Sequence, residues 1–569
     1  MRRLRRVLLA LSIVALGLWL FSGPRGPRIE AGSILVLEVE GEFVEGAEPP
    51  IWARLFGAPP RPFAGLLSEL ATAQRDDRLA GVVVRIRGLD LGWGKAAELR
   101  DAIAELAAKR RTVAYLEVAT LAANREYFVA TGAPEIVVAP GATSPLVGLA
   151  AEYLFLGGLW EKLGAGVEAI GSGEYKSAAE TLAGTKMSEP HREMAASLLD
   201  STYEHFVAAI AQARGKTPEL VREAIDRAPV DSAELVSLGL VDRVAFLDET
   251  VAALGDGTRV DDADYRGVDP ASVGFDPVAT FALVYGTGNV VMGQGSSRTG
   301  APRLTSDDVS QALEDAAEDP DIRAIVFRVD SPGGSPLAAD IVWRAAQLAK
   351  QHGKPLVASV SDVAASGGYY VLCGADAIVA PPASLVGSIG VFVMRPVLGG
   401  LLDKLAIGHE SMTRGTHADL LLATKPLDDA GRERMRAEID AIYETFLARV
   451  SAGRGLDREK VHAVGRGRVW TGAQAVGIGL VDELGGLRRA VRRAKQAAGI
   501  DADADVALVA YPKPESLAQQ LGEAFRAAAV AAAAPPLPGA GLLRELAPLA
   551  EEWPADEPLA LPPFQVRIR

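Results

Sequence analysis

The sequence predicts an α/β protein in which one parallel-sheet domain is copied in tandem behind an N-terminal membrane segment. Three observations lead there. Segments recur at spacings of 240 to 243 residues, apolar β-rich runs alternate with amphipathic stretches inside each copy, and a basic N-terminus precedes an uncharged apolar run. The 569 residues, 49% hydrophobic and 23% charged, suffice for more than one core. A net charge of −14 with no basic block beyond the N-terminus excludes a nucleic-acid surface as the expected role.

The chain opens "MRRLRR" and continues "VLLALSIVALGLWLF" from Val7 to Phe21. A helix of that length spans about 22 Å, short of a hydrocarbon core of about 30 Å, but flanking arginines can snorkel and a bilayer can thin. A cleaved signal peptide is the alternative; "FSGPRG" is a poor small-residue cleavage site because proline and arginine crowd it. A signal anchor over residues 1–29 is therefore expected. Arg2, Arg3, Arg5 and Arg6 hold its N-terminus in the cytoplasm and direct the remaining chain outward.

The first copy, residues 30–255, starts with the strand-like "SILVLEVEG"; the second, residues 279–500, starts with "FALVYGTGNV". In the second copy there follow a helix in "LTSDDVSQALEDAAEDP", a strand in "AIVFRVDS", a helix in "PLAADIVWRAAQLAKQHG" and a strand in "PLVASVSD". Long helices ending at glycine follow in "SEPHREMAASLLDSTYEHFVAAIAQARG" and "AGRERMRAEIDAIYETFLARVSAGRG". The copies align segment by segment: "DDRLAGVVVRI" with "DPDIRAIVFRV", "GGLWEKLG" with "GGLLDKLA", "LVSLGLVDRV" with "AVGIGLVDEL". Residues 256–278, rich in Gly, Asp and Pro, read as a linker, and 501–569 as an Ala/Pro-rich tail.

A duplicated domain is its own control, because features kept in both copies belong to the fold and features present once are candidates for function. "AASGGYY" aligns with "AANREYF", so Ser366 stands opposite Asn124. "DSPGGS" aligns with "RGLDLG", so the pair Gly333-Gly334 is absent from the first copy. Conversely "GSGEYKSAAE" carries Lys176, and a spacing of 242 places Ala418 opposite it. One copy thus holds a bare serine beside a glycine loop, and the other holds a lysine.

A serine hydroxyl attacks only when a neighbour accepts its proton, and a neutral lysine can serve. Lowering an ordinary lysine pKa by about 3 units costs roughly 4 kcal/mol, which desolvation can supply. A dry site is required. Gly367 can aim an amide at a developing oxyanion, and the Gly333-Gly334 loop can supply another, each worth about 3 kcal/mol in comparable sites. Ser388 in "LVGSIG", where the first copy has "LVGLAA", can orient the lysine amine. Contact within one chain or between subunits is open at this point, with the complementary copies favouring one chain.

These residues resemble the signal peptide peptidase A family in its long, tandem-repeat, membrane-anchored form, over roughly residues 30 to 495. "YKSAAE" is similar to the family's lysine motif, "AASGGYY" to its nucleophile motif and "GSIG" to its accessory-serine segment. The resemblance implies Lys176 as general base, Ser366 as nucleophile and Ser388 as accessory hydroxyl. It further implies a ClpP/crotonase-like fold, homo-oligomeric assembly as a tetramer, peptide substrates left over from signal peptides, and a location at the outer face of the cytoplasmic membrane. No cofactor or metal is expected.

Several residues compete for attention. Lys425 in "LLATKPL" is a rival base, but Lys186 in the aligned "LAGTKMSE" points to a shared structural role. Cys373, the single cysteine, reads as a core thiol. The six histidines, His191, His205, His352, His409, His417 and His462, show no metal-ligand spacing and read as surface residues. A crotonase-type acyl-CoA enzyme would share the architecture and use "SPGG" as an oxyanion loop, but export away from the CoA pool opposes it. A non-catalytic scaffold would not need to keep both Ser366 and Lys176.

Overall fold

The computed structural model describes residues 29–46, 61–119, 123–295 and 302–513. In the first half, β1 (Ser33–Val44), β2 (Arg61–Pro62), β3 (Leu79–Asp90), β4 (Thr112–Leu116) and β5 (Glu135–Val138) are followed by β6 (Gly166–Ser172), β7 (Arg243–Val244) and β8 (Arg259–Asp261). All except β6 form one parallel sheet, ordered β2-β1-β3-β4-β5-β7 with β8 also on β1. The second half contributes β9 (Pro277–Thr287), β10 (Asn289–Val291), β11 (Arg303–Thr305), β12 (Ile322–Ser331), β13 (Leu356–Ala365) and β14 (Ala377–Ala380). It continues with β15 (Leu385–Gly387), β16 (Val391–Val397), β17 (Val469–Thr471), β18 (Glu483–Leu484) and β19 (Asp505–Tyr511). Its main sheet runs β17-β15-β13-β12-β9-β19, with β14 linking β13 to β18 and only the β15–β17 pair antiparallel.

The central strands "VVVRI" and "AIVFRV" read as continuous apolar runs because helices cover both faces of a parallel sheet. Helices Phe63–Arg75 and Trp93–Ala107 of the first half lie between the two sheets. One apolar cluster joins Leu35, Leu66, Val82 and Leu99 to Phe281, Val326 and Val357 of the second half. The other face of the second sheet packs on helices Ser306–Glu318 and Pro336–Gln351 through Leu313, Phe327 and Val342. The duplication is visible in the long helices Glu189–Arg214 and Asp429–Arg454, each of 26 residues. Each starts at a side-chain cap, Ser188 or Asp428, and stops at a left-handed glycine, Gly215 or Gly455.

The halves also exchange backbone. β6 and β16 leave their own sheets and form an antiparallel ribbon, with Ser172 opposite Val391 and Gly166 opposite Val397. The stretch 256–278 holds β8 and the short helix Asp262–Tyr265, and the first residues after 500 supply β19 as an edge strand. The expected anchor lies, but for its last residue, outside the described residues, as does the chain after Lys513. Among the described residues no helix is long and apolar enough to cross a membrane.

Candidate active site

Ser366 occupies the reversal between β13 and the short helix Gly367–Leu372, with φ 55° and ψ −118°. Few non-glycine residues adopt such a backbone, and strain of this kind persists only where the surroundings enforce it. Here the Ser366 N–H donates to Gly387 O at 2.7 Å, and the Ser366 carbonyl accepts from the amides of Tyr369 and Tyr370. Gly368 is a steric requirement, since a Cβ there would lie 2.4 Å from Ser331 O. The end of β12, just ahead of the glycine loop, and the helix after the serine therefore touch backbone to backbone.

Lys176 comes from the other half, delivered by the β6–β16 ribbon. Just past β6 the Tyr175 N–H donates to Arg466 O at 3.0 Å, and Gly467 lies so close that a Cβ would stand 2.5 Å from Lys176 N. Lys176 Nζ then lies 2.6 Å from Ser366 Oγ, 2.9 Å from Ser388 Oγ and 3.0 Å from Ser388 O. Ser388 also has a positive φ, 52°, and its N–H donates to Arg468 O at 2.8 Å. Ser366 and Ser388 are fully buried and Lys176 is 7% exposed. Among the described residues no carboxylate opposes it, and burial alone holds the Lys176 amine well below its ordinary range. Ser366 Oγ has a further acceptor within reach, Gly390 O at 3.4 Å. The lysine, the nucleophile candidate and the accessory serine thus meet within a single chain.

Gly333 and Gly334, at φ 108° and 151°, form a loop strapped down by β10. Val290 N–H donates to Gly333 O and Ser335 N–H to Val290 O, both at 2.8 Å, and a Cβ on Gly334 would meet Val290 O at 2.1 Å. The Gly333 N–H itself donates to Ser331 Oγ at 3.2 Å. In the first half Asn124 stands where Ser366 would be, and its amide braces a loop: Nδ2 donates to Gly148 O at 2.8 Å and Oδ1 accepts from Val147 N at 3.1 Å.

The rival residues fall elsewhere. Lys425 is half exposed and paired with Asp419 at 3.1 Å. Cys373 is buried, its thiol pushed up to about 12 by desolvation. The reading of every histidine as a surface residue fails at His191, which is fully buried, paired with Glu180 at 3.0 Å and flanked by the rings of Tyr153 and Phe155. A charged local context, "SEPHREMA", hid a site closed by residues far upstream. Gly390 and Gly467 escaped the sequence reading because their constraint is close approach of distant backbone, for which a lone glycine is only a faint sign.

The model of Peptidase family S49 matches residues 104–261 and again residues 348–501. The chain is 32% identical to "Serine protease SPPA, chloroplastic" of Arabidopsis thaliana over 501 residues, 86% of this chain and 72% of that protein. It is 26% identical to "Protease 4" of Salmonella typhi over 522 residues, 86% of this chain and 82% of that protein. Among solved structures, a mutant ClpP1 from Listeria monocytogenes aligns with 37% of this chain and 94% of its own, at 15% identity and a TM-score of 0.24. With the family pattern matched in each half, over more than half of the sequence, the chain belongs to peptidase family S49, carries that domain twice, and is a serine protease.

Proposed function

We propose that the protein is a membrane-anchored endopeptidase in which Ser366 is the nucleophile and Lys176 the general base. The observation that carries this is the 2.6 Å approach of Lys176 Nζ to Ser366 Oγ in a buried site to which, among the described residues, no carboxylate contributes. A neutral amine has two N–H donors and one lone pair. Ser388 Oγ and Ser388 O take the two N–H groups, which turns the lone pair toward the Ser366 hydroxyl.

The hydroxyl attacks a peptide carbonyl while its proton passes to Lys176, and the resulting ammonium then protonates the departing amine. Water, deprotonated by the same lysine, releases the acyl group. The oxyanion is received by the Gly367 amide and by the Gly333-Gly334 loop, where the Gly333 amide is turned to Ser331 and Gly334 is the assigned donor. The fold is of the ClpP/crotonase type and the working form a homo-oligomer, a tetramer by the resemblance. The substrates are peptide remnants of cleaved signal peptides, met at the outer face of the cytoplasmic membrane, where the apolar run Val7 to Phe21 holds the chain.

The test is hydrolysis of a signal-peptide-derived substrate by the full chain and its variants. Ser366→Ala and Lys176→Ala each abolish it while Asn124→Ala leaves it; persistence in either of the first two refutes the assignment. Deleting residues 1–28 releases the protein from membranes in a fractionation, and retention there refutes the anchor.

A further inference from the structure

We infer that Lys95 is a positioning residue for the same reaction: it staples together the strand ends that carry Ser366 and the Gly333-Gly334 loop. The inference rests on Ser366 as nucleophile. β12 and β13 pair regularly as far as Val329 opposite Val360, and then the register jumps to Ser331 opposite Ala364. Two extra residues of β13 therefore bow out just ahead of Ser366, and a bulge so placed re-aims the side chain that follows it.

The bow is held from the first half. Asp362, inside the bow, accepts from Gly92 N at 3.1 Å, Lys95 N at 2.8 Å and Lys95 Nζ at 3.0 Å. Lys95 Nζ also reaches Asp330 Oδ2 at 2.5 Å, and Asp330 Oδ1 accepts from Val363 N at 3.1 Å. One amine thus ties a residue three places before Gly333 to a residue four places before Ser366. The approach is intimate: a Cβ on Gly92 would lie 2.3 Å from Asp362 Cγ, and one on Gly94 2.5 Å from Ser361 O.

Lys95 is 6% exposed. Burial opposes its charge, but Asp330, Asp362 and Glu45 override it and hold the ammonium above the ordinary lysine range. Behind the staple, Arg328 is fully buried between Glu45 at 2.7 Å and Glu98 at 2.9 Å, so the first half meets β12 through a continuous charged seam.

The duplication singles out the same residues. At spacings of 242 to 243, Lys95 stands opposite Ala338, Asp330 opposite Arg87 and Asp362 opposite Thr120. The lysine survives only in the first copy and its carboxylates only in the second, the pattern already seen for Lys176 and Ser366. Displacing a reacting group by about 1 Å can cost a hundredfold in rate, so a staple on both elements of the site bears on the chemical step.

The experiment compares full-length wild type, Lys95→Met, Lys95→Arg and the double variant Lys95→Met with Asp330→Asn, which avoids two facing buried carboxylates. Active sites are counted with a fluorophosphonate that labels reactive serine, and kcat is expressed per labelled site, with Ser366→Ala as control. In Lys95→Met and in the double variant kcat per labelled site falls about tenfold or more while KM changes less than about threefold. The ascending limb of the pH profile stays in place because Lys176 is untouched, and Lys95→Arg recovers much of the loss. An unchanged kcat per labelled site, with only fewer sites labelled, overturns the inference and leaves Lys95 as a folding residue. Full labelling and hydrolysis in Ser366→Ala overturns the nucleophile assignment, and this inference with it.

Discussion

Two buried lysines of the first half reach into the second, and their surroundings are opposite. Among the described residues Lys176 meets only hydroxyl and carbonyl oxygens, so desolvation lowers its pKa and a lone pair becomes available. Lys95 meets Asp330 and Asp362, so it stays charged and serves as a tie. The side chain is the same and both sites are buried; what separates the two proposed roles, base and brace, is whether an anion shares the site. The two also respond to pH with opposite sign. A depressed folded-state pKa, as at Lys176, imposes a stability penalty that is complete at low pH and fades as pH rises toward the unfolded value near 10.4. A raised one, as at Lys95, contributes stability that is present below that value and lost as pH climbs through the folded pKa.

The largest effect expected on this contrast comes from removing the proposed base. Lys176→Met lowers kcat by about 10³-fold or more, within or beyond the usual range for a general base, in single-turnover assays. The same variant melts at a higher temperature than wild type at pH 7, and the gain shrinks toward pH 10; a lower melting temperature at pH 7 contradicts a desolvated neutral amine. Next, Ser388→Asp gives Lys176 the anion it lacks. Its ammonium is then stabilised, and activity at pH 7 drops about ten- to a thousandfold as the ascending limb of the pH–rate profile moves alkaline by about 1 to 3 pH units. An unmoved limb separates the limb from Lys176. Ser388→Ala removes one hydrogen bond and costs about five- to tenfold in kcat, with KM little changed. The smallest effect belongs to Lys425→Ala, which breaks an exposed pair and changes hydrolysis by less than about twofold.

How much of this could be read beforehand depended on whether the signal was local. That Ser366, Lys176 and Ser388 would meet was legible because the second copy of the domain acts as an internal reference and because each sits in a short patterned segment. The same comparison contained Lys95 opposite Ala338, but "GWGKAAELR" reads as the polar start of an amphipathic helix, whose lysine is normally solvated. Only the packing of helix Trp93–Ala107 against β13 shows that this lysine points into the seam between the halves. The β6–β16 ribbon was illegible for a related reason. β6 is "GVEAIGS" and β16 "VFVMRPV", and nothing within either segment names a partner in the other half. His191 shows the same error as Lys95, a polar neighbourhood in sequence that tertiary contact closes off.

The ribbon has one more implication, for the order in which the molecule acquires its chemistry. Lys176 precedes Ser366 by 190 positions, and the loop that seats it, around Gly467, is made later still. A chain interrupted between Lys176 and Ser366 carries the lysine without the serine, and one interrupted between Ser366 and Gly467 carries both without that seat. On the assignment made above, the proposed dyad and its seat are complete only once the chain has been made through the loop around Gly467.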